Sequence, residues 1–244
     1  MPVVTITTTK GGAGKTTSTV VRACGLAERG YDVGILDFDE NQPIADWANK
    51  PINPPKGITI YPEVNRDNIL DRLEEAAIHD FVLVDGEGSS SDEASFAICA
   101  SDLVIIPLQK TQLDAKEATK AIRFVRMEER RIKRSIPIGL VMVRGNTLIP
   151  SRTQAEIEKA VRQVDLQGIG TISTLTVELK ERAAYQAIFA YGGSVRSLPR
   201  DRGGNTTAAQ ANVDALVDAF LELVESLSPS GTTKVKRLAP AGVA

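Results

Sequence analysis

The residues best suited to chemistry in this chain are the glycines, lysines and threonines between positions 9 and 17. This segment reads Thr-Lys-Gly-Gly-Ala-Gly-Lys-Thr-Thr and lies between an apolar run and a helix-like stretch. In that setting the glycines let the backbone turn tightly and point amide groups at phosphate oxygens. Lys15 is placed to reach the β- and γ-phosphates of a nucleotide, and the Thr16 hydroxyl is placed to bind Mg²⁺. The pattern predicts a phosphate loop rather than a glycine-rich turn with a chance lysine.

The predicted loop departs from the common pattern G-x-x-x-x-G-K-[ST] at its first position. Thr9 stands where that pattern has glycine, and a second lysine, Lys10, follows directly. We expect ATP to contact the segment along its length. The predicted ATP-binding residues in this segment are Lys10, Gly11, Gly12, Ala13, Gly14, Lys15, Thr16 and Thr17.

Acidic residues follow two of the predicted strands. Asp37 and Asp39 close the run Tyr-Asp-Val-Gly-Ile-Leu, and Asp85 closes the run Phe-Val-Leu-Val. The carboxyl ends of parallel strands share one edge of the sheet, which is where ligands bind in open α/β folds. Asp85 has the Walker B arrangement and would hold Mg²⁺ through water. The alternative for Asp37 and Asp39 is a polar turn that ends a strand.

Strand-like apolar runs alternate with helix-length segments, which predicts a three-layer α/β/α fold around a mostly parallel, twisted sheet. The predicted strands are Val3–Thr8, Asp32–Asp37, Ile58–Tyr61, Phe81–Asp85, Leu103–Pro107, Ile138–Val143 and Gly168–Ile172. The predicted helices are Lys15–Arg29, Arg66–Ala77, Ser91–Ala100, Leu113–Arg131, Ser151–Val164, Glu178–Ala190 and Thr206–Leu227.

Length and composition are those of a globular protein. The chain has 244 residues, 42% hydrophobic and 25% charged, with a net charge of −2. We expect one domain over residues 1–227, followed by a disordered tail over 228–244 that is rich in proline, glycine and small residues. The single histidine excludes a histidine-based metal cluster, and the two cysteines suggest buried free thiols. No apolar run reaches the ~20 residues of a membrane span, so we expect a cytoplasmic protein.

The run Lys-Gly-Gly-x-Gly-Lys-Thr-Thr resembles the deviant phosphate loop of the ParA/MinD family of P-loop ATPases. The resemblance covers roughly residues 1–227 and implies ATP and Mg²⁺ as cofactors. It also implies an ATP-dependent sandwich homodimer in which Lys10 reaches the phosphates bound by the other subunit. Asp39 would then position the attacking water, and Asp37 would lie near the magnesium shell. Two shorter stretches, Asp37–Trp47 and Glu181–Ile188, resemble the VirC-type ATPases of T-DNA transfer.

One position departs from the family pattern. The family usually has proline two residues after the Walker B aspartate, where this chain has Glu87. Two interpretations stay open for Glu87: a catalytic or switch role, or a solvated loop position. Trp47 is interpreted as a packing residue rather than a docking residue for a partner.

Contacts with adenine and with DNA are predicted from the family resemblance. The resemblance favours Arg144 for adenine, with Pro107, Leu108 and Gln109 as further candidates and an ordinary surface arginine as the alternative. For DNA it favours phosphate contacts by Arg196, Arg200 and Arg202, which lie before the last helix. The basic residues between Arg123 and Arg134 are interrupted by Glu128 and Glu129, and are interpreted as a solvated helix end.

Three classes of function fit the sequence to different degrees. The first is an ATPase of DNA partition or conjugative transfer, stimulated by a ParB-like or relaxosome-type activator. The second is a MinD-like positioning ATPase that acts on a protein cargo or a membrane. No membrane binding is expected, because the final ten residues contain proline and too little apolar face for an amphipathic helix. A nitrogenase-type iron protein fits poorly, because Cys24 lies in the first helix rather than at a dimer seam.

Overall fold

Within the residues that the structure describes there are seven strands, and helices separate the first six from one another, as the apolar runs predict. The computed structural model describes residues 1–9, 11–86, 92–109, 112–143 and 170–227. The strands are β1 (Val3–Ile6), β2 (Val33–Asp37), β3 (Ile58–Tyr61), β4 (Phe81–Asp85), β5 (Leu103–Leu108), β6 (Ile138–Met142) and β7 (Ile172–Thr174). The helices are α1 (Lys15–Ala27), α2 (Pro43–Ala48), α3 (Ile69–Glu75), α4 (Asp92–Ala100), α5 (Gln112–Ile132), α6 (Ala183–Tyr191) and α7 (Thr206–Leu227). One 3₁₀ turn, Ala76–Ile78, follows α3.

All seven strands form one parallel sheet with the order β3-β2-β4-β1-β5-β6-β7. Strands β2 to β4 lie on one side of β1 and strands β5 to β7 lie on the other. The strand order therefore reverses next to β1, and the crevice at such a point binds ligands in open α/β sheets. The segment that follows β1 is the glycine-rich loop, so the sheet topology places this loop at the crevice.

Both faces of the sheet are covered by helices. In β5, Leu103 and Ile105 contribute to one hydrophobic cluster, whereas Val104, Ile106 and Leu108 contribute to another. The first cluster includes residues of α1, α2, α6 and α7, and the second includes residues of α4 and α5. Because side chains alternate between the two faces of a strand, a strand buried on both faces is apolar at every position. This explains the unbroken apolar runs in the sequence and confirms the three-layer α/β/α arrangement.

Close packing of α1 on α7 depends on Gly25. A Cβ atom at Gly25 would lie 2.6 Å from Val217 Cγ2 and 2.8 Å from Val213 Cγ1. One turn further along, Arg29 forms a 2.7 Å ion pair with Asp218 and donates a 2.7 Å hydrogen bond to the Asp214 carbonyl. These contacts hold α1, whose N-terminus carries the glycine-rich loop, firmly against the C-terminal helix.

Several predicted boundaries differ from the structure. Helix α2 was not expected, and β7 begins at Ile172, later than the predicted strand Gly168–Ile172. The predicted helix Ser151–Val164 and the predicted tail at 228–244 lie outside the described residues, so the domain limits stay predictions. No helix in the described ranges combines the length and hydropathy that a membrane span requires.

The interpretation of the basic residues from Arg123 to Arg134 as a solvated helix end holds for the exposed members but is wrong for Arg126 and for the two glutamates beside it. Arg126, Glu128 and Glu129 are buried, and Arg126 Nη1 lies 3.1 Å from Glu129 Oε2. Glu129 Oε1 accepts hydrogen bonds from the amides of Ile136 at 2.8 Å and Gly170 at 2.7 Å. This buried pair fastens the end of α5 to the segments that lead into β6 and β7. In the sequence, the alternating positive and negative residues are typical of a solvated helix surface. Only the packing of α5 shows which of these charged side chains are buried.

Two further side chains can be compared with expectation. Trp47 is fully buried and its indole Nε1 donates a 2.9 Å hydrogen bond to the Gly193 carbonyl, which confirms the packing role. Both cysteines are free thiols, as expected. Cys24 is buried, but Cys99 is only partly buried, so the expectation of two buried thiols is wrong for Cys99.

Candidate functional site

The glycine-rich loop meets α1 through a backbone conformation that suits glycine. Gly14 directly precedes the helix with φ 84° and ψ 23°, in the left-handed region, and Gly12 has φ 70°. L-residues with a Cβ adopt these angles at a cost, which explains glycine at both positions. Gly14 contributes no capping side chain, and the first turn of α1 contains no acidic residue. The first amides and the positive end of the helix dipole are therefore well suited to bind an anion.

Asp85 is a buried carboxylate at the edge of the sheet next to this loop. Its side chain accepts a hydrogen bond from Thr19 Oγ1 at 3.0 Å, and the Thr16 hydroxyl also bonds to it. Burial, with a smaller contribution from the neighbouring Asp37, raises the pKa of Asp85 to about 7. The hydrogen bonds from Thr16 and Thr19 and the charge of Lys15 lower this pKa only in part. A cation beside Asp85 would offset this electrostatic cost.

Asp37 lies beside Asp85 and connects the end of β2 to α2. The two residues are paired in the register of β2 and β4. Asp37 is fully buried, and its Oδ2 accepts the amide of Ile44 at 3.1 Å while Oδ1 accepts the amide of Asp39 at 3.2 Å. Burial raises the pKa of this carboxyl, and these amide hydrogen bonds act in the opposite direction. Asp37 therefore fixes the start of α2, a role that the sequence did not reveal.

Asp39 occupies the turn between β2 and α2 and is partly exposed. Its Oδ1 accepts hydrogen bonds from the Asn41 amide at 2.9 Å and from Asn41 Nδ2 at 3.0 Å. One carboxylate oxygen is thus used to shape the turn. Within the described part of the chain, no hydrogen bond or ion pair engages Asp39 Oδ2, so this oxygen is available to a ligand at the sheet edge.

The donor set at this edge fits Mg²⁺. Thr16 supplies a hydroxyl, and Asp85 and Asp37 supply carboxylates, which are the oxygen ligands that this cation prefers. No three His, Cys, Asp or Glu side chains gather as a metal cluster among the described residues. A magnesium ion here would therefore complete its shell with phosphate oxygens and water, as it does at nucleotide sites.

A cavity of about 310 Å³ opens on the other side of the glycine-rich loop. Its volume is within the usual range for small-ligand pockets. The residues that line it come from the loop, the end of β6 and the start of α6: Gly14, Thr17, Val143, Leu179, Lys180, Glu181, Arg182, Tyr185, Gln186 and Phe189. Apolar walls with a few charged and amide groups suit a flat heterocycle attached to a polar sugar.

Tyr185 forms a rigid part of the cavity wall. Its hydroxyl lies 3.0 Å from Asn212 Oδ1 and 3.2 Å from the Ala209 carbonyl, so it donates toward α7. Burial raises the pKa of Tyr185, which keeps the phenol neutral. Asn212 Nδ2 in turn donates a 2.8 Å hydrogen bond to the Glu178 carbonyl, just before the cavity-lining segment. The hydroxyl end of the ring is therefore anchored, and its apolar part is left for a ligand.

The structure places some of the predicted site residues close together, while others lie elsewhere or outside the described residues. The loop from Gly11 to Thr17 and the three aspartates lie along one edge of the sheet. Lys10, Glu87 and Arg144 lie outside the described residues, so their roles stay predictions. Pro107, Leu108 and Gln109 do not line the cavity, and Leu108 is buried in the core. The cavity-lining residues of α6 were missed as site residues, although the segment Glu181–Ile188 had been noted for its VirC-like pattern.

The three arginines predicted to contact DNA lie in the loop between α6 and α7, with different surroundings. Arg196 Nε is 3.3 Å from Glu28 Oε2, and its Nη2 is 3.9 Å from Asp214 Oδ1. The Arg202 guanidinium lies 4.7 Å from the centre of the Tyr191 ring. Arg200 is exposed. The positive charge of Arg196 is therefore partly compensated, and Arg200 and Arg202 are the better candidates for contact with an anion.

Fold and site together define a P-loop nucleoside triphosphatase: a parallel sheet, a glycine-rich loop between β1 and α1, and a buried aspartate at the end of β4. Comparison with known proteins then narrows the class. The family model described as VirC1 protein matches residues 1–196. Protein ParA of Rhizobium radiobacter is 34% identical over 232 residues, covering 93% of this chain and 100% of that protein. The chain therefore belongs to the VirC1 family, within the ParA/MinD group of ATPases.

More distant relatives have the same fold. The maintenance of carboxysome distribution protein A of Halothiobacillus neapolitanus is 25% identical over 193 residues, covering 78% of this chain and 84% of that protein. A Cyanothece McdA–ATP complex superimposes with a TM-score of 0.66 at 15% identity, covering 90% of this chain and 96% of that chain. MinD of Pyrococcus horikoshii complexed with Mg-ADP gives a TM-score of 0.63 at 16% identity, covering 93% of this chain and 98% of that chain.

Proposed function

We propose that this protein is a partition-type ATPase that closes into a sandwich homodimer on ATP, binds DNA without sequence preference, and hydrolyses ATP slowly until a partner stimulates it. One observation carries the proposal. The glycine-rich loop lies between a buried carboxylate pair suited to Mg²⁺ and a cavity of about 310 Å³ suited to a base. A nucleoside triphosphate requires those three parts in that order.

The proposed nucleotide lies along the loop with its base in the cavity. Its phosphates accept hydrogen bonds from the loop amides and from the start of α1, and Lys15 neutralises the β- and γ-phosphates. The base packs on Tyr185 and Phe189, where Glu181 and Gln186 offer polar atoms to its edge. Arg144, directly after the cavity residue Val143, is retained as an adenine contact. The McdA–ATP and MinD–Mg-ADP complexes support ATP and Mg²⁺ as ligands.

Hydrolysis in this proposal uses residues of two protomers. Lys10 of each protomer reaches the phosphates bound by the other, where a cation stabilises the charge that develops on the transferred group. Asp39 orients the attacking water, and Thr16, Asp37 and Asp85 hold Mg²⁺ directly or through water. Dimerisation is thereby linked to the presence of the γ-phosphate, because the charge that Lys10 binds is lost on product release.

The biological task proposed is DNA partition or conjugative DNA transfer. The ParA and VirC1 relationships support this class, and Arg200 and Arg202 are the proposed phosphate contacts, with Arg196 in a supporting position. A ParB-like or relaxosome-type activator would trigger hydrolysis. We propose no membrane attachment and a cytoplasmic location for the single domain of residues 1–227, with 228–244 as a flexible tail.

A positioning ATPase that acts on a protein cargo is the second candidate. The similarity to the carboxysome distribution protein favours it, since that protein's name describes positioning of a protein assembly. Retention on DNA separates the two candidates. The first predicts ATP-dependent retention that weakens when Arg200 and Arg202 are replaced by glutamine, whereas a cargo-only function predicts no such retention.

The proposal is tested by the oligomeric state in Mg-ATP. Sedimentation velocity should show a monomer without nucleotide and a dimer with Mg-ATP. Lys10→Ala should remain monomeric while still binding ATP, because only the contact across the interface is lost. Asp39→Ala should give a persistent dimer, because ATP is bound but turned over slowly.

Lys56→Ala is the matched control for the loss of one lysine, because Lys56 is exposed and lies far from the loop. Its sedimentation should match that of the wild type with and without Mg-ATP. Dimerisation of Lys10→Ala at the wild-type ATP concentration would contradict the role of Lys10 across the interface.

A further inference from the structure

Helix α5 presents a row of positive charges on its exposed side. Its members are exposed and form what we call the cationic stripe, which includes two residues directly after the helix: Lys116, Lys120, Arg123, Arg130, Arg131, Lys133 and Arg134. Positions 116, 120, 123, 127 and 130 recur at alternating steps of four and three, so they lie along one side of the helix. Met127 is the single apolar member of this series. From Lys116 to Arg130 the stripe runs about 21 Å at 1.5 Å per residue.

The acidic residues of this region interrupt the stripe less than the sequence indicates. Glu128 and Glu129 are buried, and Glu129 is occupied by Arg126. Three carboxylates do reach stripe residues: Glu117 with Lys120 at 2.7 Å, Glu128 with Arg131 at 2.7 Å, and Asp102 with Arg134 at 3.9 Å. Within the described residues no acidic partner is found for Lys116, Arg123 or Lys133. The stripe therefore keeps a net positive charge over its length.

The helix dipole accounts for only some of these charges. Cations in the last turn, Arg130 and Arg131, complement the negative end of the helix dipole. Lys116 and Arg123 lie outside the first and last turns of α5, where the dipole has little effect, and neither has an acidic partner among the described residues. These two charges are available for a ligand.

The stripe lies on the opposite face of the sheet from the Arg196–Arg202 loop. Helix α5 packs on the face formed by Val104, Ile106 and Leu108, whereas Val195 and Leu198 of the loop belong to the cluster on the other face. One straight duplex cannot touch both surfaces of a single protomer. The stripe is therefore a separate anion-binding surface and not an extension of the proposed one.

We propose that the cationic stripe binds the phosphate backbone of duplex DNA, independently of ATP. Protein interfaces need a buried apolar or aromatic centre, and membrane-surface helices need a broad apolar face. Met127 alone supplies neither. A DNA backbone requires only spaced cations. Arg123 can pair with a phosphate through two hydrogen bonds, whereas Arg131 and Arg134 already donate hydrogen bonds within the chain. At about 3.4 Å per base pair, the stripe spans about six base pairs.

This inference deepens the proposed DNA-binding function, but it requires neither ATP nor a dimer. A complete stripe is present in one protomer, so the nucleotide-free chain should bind DNA weakly and with strong salt dependence. The Arg200 and Arg202 contacts would add to this affinity in the ATP dimer. DNA binding by the stripe and ATP-dependent DNA binding by Arg200 and Arg202 can therefore be tested separately.

The test measures binding of the full chain to a fluorescent random-sequence duplex over a salt series, without nucleotide. The test variant combines Lys116→Gln, Arg123→Gln and Lys133→Gln, which have no acidic partner in the described structure. The control variant combines Lys50→Gln, Lys56→Gln and Arg72→Gln, which remove the same charge elsewhere. If all three stripe contacts are made, the slope of log K against log salt should become shallower by about 2.7 in the test variant. The control should keep the wild-type slope, and unaltered Mg-ATP binding by the test variant would show that it is folded.

Equal slopes for the wild type and the stripe variant would overturn the inference, even if Arg200→Gln with Arg202→Gln abolishes ATP-dependent retention. Binding of the stripe to phosphatidylserine vesicles in place of DNA would also overturn it. If the stripe variant loses nucleotide-free binding but ATP adds nothing to wild-type affinity, the stripe is supported and the ATP-dependent function fails.

Discussion

At the scale of single residues, the burial of Asp85 lowers the stability of the nucleotide-free fold, and a bound cation would reverse this effect. Its carboxylate is almost completely buried, and the two threonine hydroxyls that bond to it do not compensate for the loss of water. The pKa of about 7 records this cost. In the proposed complex, Mg²⁺ would supply the missing positive charge, so ligand binding would relieve an electrostatic penalty that the nucleotide-free fold carries.

The pH dependence of stability follows from this pKa. Because Asp85 has a higher pKa in the folded chain than its usual 3.8, the folded state binds its proton more tightly than the unfolded state does. The contribution of Asp85 is therefore most favourable below about pH 4, decreases as the pH rises toward 7, and is constant above that.

Asp85→Asn should remove this dependence. We expect the nucleotide-free variant to be more stable than the wild type at pH 8 by up to about 4 kcal/mol, with a much smaller difference at pH 4. Urea unfolding of both proteins between pH 4 and pH 8 gives the comparison, in which other titrating groups cancel. Mg-ATP should stabilise the wild type and not the variant. If Asp85→Asn is less stable than the wild type at every pH, the charged carboxylate does not destabilise the folded chain.

Among single residues, the glycine-rich turn between β1 and α1 was predictable because its residues lie in consecutive positions. The proximity of Asp37 and Asp85 was also predictable, because adjacent parallel strands end at one edge. The capping role of Asp37 was not, since it depends on α2. The burial of Arg126 was not predictable either, because the buried and exposed charges of α5 alternate in the sequence without distinction.

At the scale of elements, the nucleotide site depends on how α1 is held. Its N-terminus carries the loop, and its C-terminal half packs on α7 through Gly25. The contact is too close for any side chain at position 25. Helix α1 is thus fixed at one end by a distant part of the chain, which would keep the amides at its other end directed toward the phosphates of the proposed nucleotide.

Gly25→Ala tests this packing. The added methyl group would overlap Val217 and Val213, so we expect a loss of about 1–3 kcal/mol in the free energy of unfolding, and weaker Mg-ATP binding through displacement of α1. Val217→Ala should partly relieve the overlap, so the double variant should lose less stability than the sum of the two single variants. Additive losses would mean that the two residues do not press on each other. Chemical denaturation of the four proteins provides the cycle.

Elements of ordinary length were predicted well, whereas short and composite features were not. Helix α2 has only six residues, including Pro43 at its start, which is too short for a helical pattern to stand out. The cavity was missed for another reason. Its lining residues extend from Gly14 to Phe189, so no local spacing could bring them together before the fold was known.

At the scale of the whole molecule, the sheet separates three surfaces for which we propose different tasks. The carboxyl edge carries the proposed nucleotide site, one face carries the Arg196–Arg202 loop, and the other face carries the cationic stripe. The net charge of −2 conceals this division, because acidic residues elsewhere balance both basic surfaces. A low net charge excluded a globally basic DNA-binding protein but did not exclude local binding surfaces.

Binding of Mg-ATP to the wild type and to Lys15→Ala tests the central claim most directly. Isothermal titration calorimetry of ATP with magnesium present should give one site per chain for the wild type. Lys15→Ala should lose this binding, because the β- and γ-phosphates lose their principal cation, while its fold stays intact by circular dichroism. Absence of any heat of binding with the wild type, or equal affinity in the variant, would contradict a nucleotide site at the glycine-rich loop.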